Sequence, residues 1–498
     1  MSWDIIDGMC ARSSRFPRFF LATALVGLLL LVQPLAGAQS ANLPDLGDTA
    51  SAELSWRTER RVGRDIMNQI QQKEPTYLDD PEVESYLNAL GTRLVAASPA
   101  GAGFHFFCLD DPSINAFAMF GGYIGVNAGL VANVQNESEL AGVLAHEVSH
   151  VTQRHLARGL EKQRQISMAS LLVMALGMLA ANSNADFGSA VIAAGTGGMI
   201  QAQLGFSREF EREADRAGIE LLQKAGFDPH AMSSFFERLQ RATRAYENNA
   251  PVYLRTHPLT VERISEMQDR EQGMAYRQVP DSLAFHLVRA RLAARQGTPA
   301  EAVARFRQML AERRFTHEAA AQYGLAVALE RQKDWPGMAR AIQEAHARNA
   351  DSPMIERLFA EALLRQDEAK GLAFYQETLR RFPDSPALAY GYAEALLERD
   401  QWNKGLRFIE ARLRGGPDAR LYRLKARLHA SRKQVAQYHH ALAEAYAHEG
   451  ILMAAIEQLE LAQKAPGLDF YELSAIDARL RQLKREREEE RKLEGEIP

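Results

Sequence analysis

The string His146-Glu147-Val148-Ser149-His150 holds the residue types whose spacing could do chemistry. Read as helix, positions i and i+4 stack on one face, so two imidazoles stand one turn apart with a carboxylate beside the first. That is a chelating pair. Neutral imidazole nitrogen binds Zn²⁺ at about 2.0 Å, and a catalytic site uses three protein ligands and keeps a fourth position for water. Glu147 is placed to act as the base toward that water, whose pKa falls to about 7 on the metal. The flanks favour chemistry over coincidence: Leu140 to Ala145 is an apolar run, entered through Asn136-Glu137-Ser138-Glu139 with Ser138 as a candidate cap. Two histidines and a glutamate on a core helix need partners, because unpaired polar groups in an apolar interior are costly.

A third ligand must come from another element. Ser207 to Gly218 reads as a helix with Glu211 and Asp215 four apart on one face, and with Ala214 and Gly218 small enough for close helix contact. A carboxylate on a later helix is the usual supplier, which makes Glu211 the candidate. Asp215 would accept the free ring N–H of a ligating histidine and fix its tautomer. Glu209 and Glu213 face other ways and are expected in solvent. Read alone, His257 is a loop histidine ahead of a helix beginning at Pro258.

The rest of the chain must position these groups. A length of 498 residues implies two or three domains. With 46% hydrophobic and 24% charged residues and a net charge of -4, the signs are evenly mixed, which argues against nucleic acid as a partner. Two cysteines, Cys10 and Cys108, exclude a disulfide framework and a cysteine-ligated zinc site, and Cys108 reads as a small core hydrophobe. Residues 1–38 read as an export signal: Arg12, Arg15 and Arg18, then the apolar Phe19 to Val32, then Ala36-Gly37-Ala38 before Gln39. The apolar run is shorter than the roughly 20 residues a spanning helix needs, which favours cleavage near Ala38 over an uncleaved anchor. Cys10 lies ahead of that run and is misplaced for a lipoprotein anchor. In a Gram-negative source the compartment would be the periplasm.

Glu59 to Gln71 and Pro81 to Ala96 read as packing helices, the second opened by Asp79-Asp80-Pro81. Phe104 to Leu109 and Tyr123 to Val126 are β-prone, with Asn115-Ala116-Phe117-Ala118 between them. This small sheet is either a plain core hairpin or an edge to which an extended substrate adds as a strand. Ser167 to Ala181 and Ala190 to Ile200 are apolar but too short to span a bilayer; they read as a helical hairpin that is core, lid, or a surface touching lipid or unfolded protein. From about Asp281, Ala290, Ala326, Ala360, Ala393 and Ala426 recur at intervals of 36, 34, 33 and 33, and Ser352-Pro353 and Ser385-Pro386 repeat at 33. Small residues at that period are the tetratricopeptide signature, and such arrays stack into a solenoid whose concave side binds partners. Lys484 to Lys492 reads as a solvated charged face.

Together, His146-Glu147-x-x-His150, Glu211-x-x-Ala214-Asp215 and Asn115-Ala116-Phe117-Ala118 with Gly121-Gly122 resemble the gluzincin family that includes the prenyl-protein (CAAX) proteases and HtpX. The resemblance implies one Zn²⁺ per chain on His146, His150 and Glu211, with Glu147 as base. Leu254-Arg255-Thr256-His257-Pro258-Leu259-Thr260-x-x-Arg263-Ile264 is similar to an element of the soluble periplasmic branch, which also carries a tetratricopeptide array. By that resemblance His257 is an extra ligand that keeps the site latent until displaced, and Arg263 steadies an oxyanion or holds the loop. The implied architecture is mainly α: a gluzincin metallopeptidase domain of helices plus a small β-sheet at 39–275, an α-solenoid at 281–480 and a charged tail at 481–498. The implied function is degradation of unfolded or misassembled outer-membrane proteins, with the array turned toward the β-barrel assembly machinery and 167–200 as a candidate peripheral membrane contact. The rival is an assembly chaperone or scaffold with a largely silent protease site.

Overall fold

The computed structural model describes residues 55–98, 103–161, 208–244 and 251–495. The leader at 1–38 and the apolar stretches 167–181 and 190–200 lie outside the described residues.

Helix α1 (Trp56–Lys73) is capped by the Ser55 hydroxyl, which accepts from the Thr58 amide, and buries Val62, Ile66, Met67 and Ile70 along one stripe. Helix α2 (Pro81–Ala96) starts where the Asp80 carboxylate accepts from the Glu82 and Val83 amides, with proline in the first turn. Three strands follow: β1 (His105–Leu109), β2 (Ala116–Ala118) and β3 (Tyr123–Asn127), in the order β1-β3-β2. β1 runs parallel to β3, and β2 pairs antiparallel with it through Ala116↔Val126, Phe117↔Gly125 and Ala118↔Ile124. The β2–β3 turn needs left-handed backbone at Gly121 (φ 73°) and Gly122 (φ 87°). α1 lies directly on this turn: a Cβ at Gly63 would sit 1.9 Å from the Phe120 carbonyl oxygen.

Short α3 (Ala128–Asn133) leads to α4 (Glu137–Thr152), whose residues from Glu137 to Val151 are all buried. Its cap is Asn136, which accepts from the Glu139 amide, two residues ahead of Ser138, for which that role was expected. The Ser138 hydroxyl instead faces the Asp228 amide at 3.4 Å. Then come α5 (His155–Glu161), α6 (Arg208–Lys224), α7 (Ala231–Arg244), α8 (Val252–Thr256) and α9 (Val261–Glu271). α9 begins at Val261 rather than Pro258, because Thr260 supplies the cap and the Pro258 carbonyl is taken by Arg263.

The remaining described residues form helix pairs: α10 (Leu283–Arg295) with α11 (Pro299–Ala311), α12 (Glu318–Gln332) with α13 (Trp335–Arg348), α14 (Pro353–Gln366) with α15 (Glu368–Arg381), and α16 (Pro386–Glu398) with α17 (Trp402–Leu413). α18 (Ala419–Ser431), α19 (Val435–His448), α20 (Leu452–Lys464) and α21 (Phe470–Gly495) complete the array. Ala326, Ala360, Ala393 and Ala426 are buried on the first helix of successive pairs, where a small side chain lets the neighbouring helix approach. The apolar core runs without a break from the helices around the small sheet into the first three pairs, joining Leu144 and Phe236 to Phe285, Leu329 and Leu358. The array also grips the N-terminal helices by charge: Arg291 reaches Asp80 at 2.6 Å, Arg357 reaches Glu82 at 2.6 Å, and Arg64 of α1 meets Glu490 of α21 at 2.9 Å. Glu490 therefore belongs to a contact, whereas that end was expected to be solvated. Among the described residues no helix is long and apolar enough to cross a membrane.

One carboxyl at this junction reports its packing through pH. Burial, with Asp79 beside it, pushes Glu84 from 4.5 up to about 7. The folded chain then holds this proton more tightly than the unfolded chain, so the contribution is fully present below pH 4.5 and lost as pH rises through about 7. Urea midpoints at pH 5 and pH 8 should therefore fall further in the native chain than in Glu84→Gln; equal falls would contradict the shift.

Candidate metal centre

Because α4 is continuous through the motif, His146 and His150 project from one face, their Nε2 atoms 3.0 Å apart. α6 crosses that face closely: a Cβ at Gly218 would stand 3.3 Å from the His146 backbone, and Ala214 is fully buried. This approach delivers Glu211, whose carboxylate oxygens lie 3.5 Å from His146 Nε2 and 3.5 Å from His150 Nε2. From the α8–α9 loop comes His257, with Nδ1 at 3.0 Å from Glu211 Oε1 and 3.4 Å from His146 Nε2. One ligand atom from each of His146, His150, Glu211 and His257 falls within 4.8 Å of the others, and all four side chains are buried.

These residues fit a metal ion better than they fit each other. Donors about 2.0 Å from a tetrahedral ion stand about 3.3 Å apart, and the separations above straddle that figure. Two imidazole nitrogens aimed at one point can share one proton between them, whereas a cation satisfies every lone pair. Beside them neither Glu147 oxygen has a hydrogen-bond partner among the described residues, although the side chain is fully buried; His257 Nε2 is 3.6 Å away. Burial pushes the Glu147 carboxyl up, against the pull of His257 and His146, which suits a group that must accept a proton.

The surrounding charges set the ligands' states. Burial and the neighbouring His146 hold His150 well below the usual imidazole range, leaving its lone pair free for a metal. Burial alone would lower His146 too, but Asp215 and Glu211 outweigh it and raise it to about 9. Burial opposes the Glu211 charge, and the imidazoles of His257 and His146 overcome it and hold the carboxyl far down. Asp215 Oδ1 lies 3.1 Å from His146 Nδ1, the ring nitrogen turned away from the cluster. Arg263 is engaged all round: its Nε and Nη2 donate to Asp215 at 2.7 and 2.8 Å, and Nη1 donates to the Pro258 carbonyl at 2.7 Å and lies 2.8 Å from Glu211. It ties the His257 loop to α6.

Asn115 and Ala116 are buried, and the Asn115 carbonyl accepts from the Asn127 amide at 3.0 Å, continuing the β2–β3 pairing. Phe117 covers Gly125, where a Cβ would meet its ring at 2.3 Å, and Ala118 is buried. β2 is an edge strand: among the described residues its other side is unpaired.

Three neighbours of the cluster escaped sequence reasoning. His155 Nδ1 lies 2.8 Å from His150 Nδ1, and its Nε2 lies 3.2 Å from Glu213, which also accepts from Arg158 at 3.0 Å. Glu213, expected in solvent, is thus the anchor of a His150–His155–Glu213 chain. The signal was a third histidine after the motif, but a spacing of five does not return to one helical face. What brings it back is left-handed backbone at Arg154 (φ 54°), which breaks the helix and whose side chain is paired with Glu59 at 2.7 Å. Tyr253 stacks on His257 with ring centroids 4.7 Å apart, a contact no local pattern announces.

Comparison with known proteins agrees with this geometry. The description "Peptidase family M48" matches residues 78–271, and a tetratricopeptide repeat matches residues 362–428. Over 332 residues the chain is 35% identical to the beta-barrel assembly-enhancing protease of Yersinia pestis, covering 65% of this chain and 68% of that one. The chain belongs to peptidase family M48. A Vibrio cholerae relative is 41% identical over 281 residues, 55% of this chain and 58% of that one. The beta-barrel assembly-enhancing protease of Escherichia coli K12 is 39% identical over 274 residues, 54% and 56% of the two chains. These two alignments span little more than half of the relatives' length. The M48 segment contains every residue of the cluster, and membership of the family implies a metal.

If Asp215 and His155 hold the ligating rings, Asp215→Asn and His155→Ala should each weaken divalent-metal affinity by roughly 10–100-fold while helix content by circular dichroism stays put. Chelator competition measures this; unchanged affinity in both would refute the role.

Proposed function

We propose that this chain is an exported zinc metalloendopeptidase that cleaves unfolded or misassembled outer-membrane β-barrel proteins in the periplasm. The observation that carries the reading is the buried convergence of His146, His150 and Glu211 beside the fully buried carboxyl of Glu147. Support for the substrate class comes from the names of the relatives, two of which are beta-barrel assembly-enhancing proteases. Residues 1–38 serve as the cleaved leader, 39–275 as the peptidase, 281–480 as the array and 481–498 as its charged end.

His146, His150 and Glu211 would hold the ion, one per chain. Zinc, when bound, supplies Lewis acidity toward a scissile carbonyl and acidifies a water. Glu147 takes up the proton of the attacking water at its carboxylate and hands it to the leaving amine. Asp215 and His155 keep the ligand rings in one orientation, and Arg263 holds Glu211 and the His257 loop. An extended client strand pairs with the free side of Ala116–Ala118, gaining main-chain hydrogen bonds that read no particular sequence. That suits unfolded clients. With an ion bound, His257 would take the place that a water needs, and the enzyme would rest closed until the loop carrying His257 withdraws. The array presents clients, or the assembly machinery, to the peptidase.

Purified protein should carry about one zinc per chain, and Glu147→Gln should lose cleavage of an unfolded protein such as casein by about 10²-fold or more while keeping its metal. Zinc-free protein, or a Glu147→Gln variant as active as the native chain, would sink the proposal. His257→Ala should retain zinc and cleave casein faster; slower cleavage with zinc retained would show that His257 assists turnover rather than restraining it.

A further inference from the structure

Hydrolysis of a peptide bond puts negative charge on the scissile carbonyl oxygen as the tetrahedral centre forms, and a donor already aimed at that oxygen lowers the barrier. Glu147, Glu211 and Asp215 are acceptors and cannot serve. Arg263, the candidate by resemblance, is committed to Asp215, Glu211 and the Pro258 carbonyl. The donor must be a group whose hydrogen is still free.

Tyr253 of α8 is such a group. It is 1% exposed, and its hydroxyl has no hydrogen-bond partner among the described residues. An orphaned hydroxyl is not in itself a site, since Tyr375 inside the array lacks a partner too. Tyr86 and Tyr323 show the ordinary solution, donating to Glu137 at 3.0 Å and to Glu82 at 2.7 Å. What sets Tyr253 apart is where it stands. Its ring stacks on His257, with centroids 4.7 Å apart and planes at 25°, and lies 6.4 Å from the His146 ring. Burial, with Glu147 and Glu211 the next strongest influences, pushes the phenol well above its ordinary range, so it keeps its hydrogen. The backbone is fixed as well: the Tyr253 amide donates to the Ile114 carbonyl at 3.2 Å, just ahead of β2. The residue is thus registered to the strand whose free side would hold a client.

We propose that Tyr253 is a catalytic residue whose hydroxyl donates to the scissile carbonyl oxygen as that oxygen gains charge. His257 Nδ1 points into the cluster, 3.0 Å from Glu211 and 3.4 Å from His146. A client carbonyl needs that same place, so it comes to lie beside the Tyr253 ring once His257 has withdrawn. The bond missing from the resting chain is then made in the transition state. A buried donor left without a partner costs folding stability and gives the resting chain nothing, which is the signature of a preorganised site. The phenol keeps its proton throughout, and delivery of a proton to the leaving amine stays with Glu147. This inference rests on the peptidase reading and adds to it the group that meets the oxyanion.

Tyr253→Phe keeps the ring and removes only the hydroxyl. It should be made in the full native chain and in His257→Ala, both loaded with zinc, with casein as the substrate. In both backgrounds kcat should fall by about 10²-fold with KM little changed. Zinc content should hold, and Tm should be no lower than in the parent chain. Labelled casein should bind Glu147→Gln and Glu147→Gln/Tyr253→Phe equally, because the hydroxyl acts only in the transition state. If Tyr253 merely props His257 shut, Tyr253→Phe would speed cleavage in the native chain and change nothing in His257→Ala; either result overturns the proposal. So does a Tm several degrees lower or a chain that no longer folds, which would reveal a partner for the hydroxyl within the fold. No cleavage by the native chain or by His257→Ala is a different failure, which sinks the peptidase reading and this proposal with it.

Discussion

Arg263 is the buried cation on which the geometry of the centre depends. It is 2% exposed, and its guanidinium touches Asp215, Glu211 and the Pro258 carbonyl. A charge so far from water is tolerable only while each partner stays in place. α6 cannot slide along α4, and the His257 loop cannot lift, without uncovering some part of that fork. One side chain thereby couples the residue that steadies His146, the carboxylate of the cluster and the loop that closes it. The bidentate grip on Asp215 also fixes direction, because a planar fork matches a carboxylate in one orientation.

The same principle operates between peptidase and array. The shared apolar core holds the first pairs against the peptidase without directional preference, and the Asp80, Glu82, Arg291 and Arg357 network sets the register of that contact. Further along the array, contact with the peptidase passes to exposed or half-exposed pairs such as Arg64 with Glu490. Pairs of that kind contribute little each and weaken with salt. The early pairs thus act as a fixed base and the late ones as a looser clasp.

Closure at the centre has a separate origin. His257 is held by the Tyr253 ring and by Glu211, and its backbone is anchored by the one-turn helix α8, whose Tyr253 amide bonds to the Ile114 carbonyl just ahead of β2. The closing loop and the edge strand are therefore mechanically joined. A displacement of β2 is passed through this hydrogen bond to the segment that positions His257.

Much of this was legible in the linear chain. The helical period alone sets His146, Glu147 and His150, since i and i+4 share a face in any α-helix. The repeat was visible in alanines recurring near 34 residues, and the helix starts at Asp80, Ser352 and Ser385 were visible as caps followed by proline. These are local rules of dihedral preference and periodicity. Tertiary packing decided what those rules do not reach. Glu211 and Glu213 sit on one helix two residues apart. That one meets the cluster and the other meets His155 follows from where Gly218 lets α6 cross α4. Left-handed backbone at Arg154 and the burial of Asp80 and Glu82 among arginines over two hundred residues away have no local signature either. Each is the solution to stranding no charge in the interior, and that condition can be evaluated only once the distant parts of the chain have met.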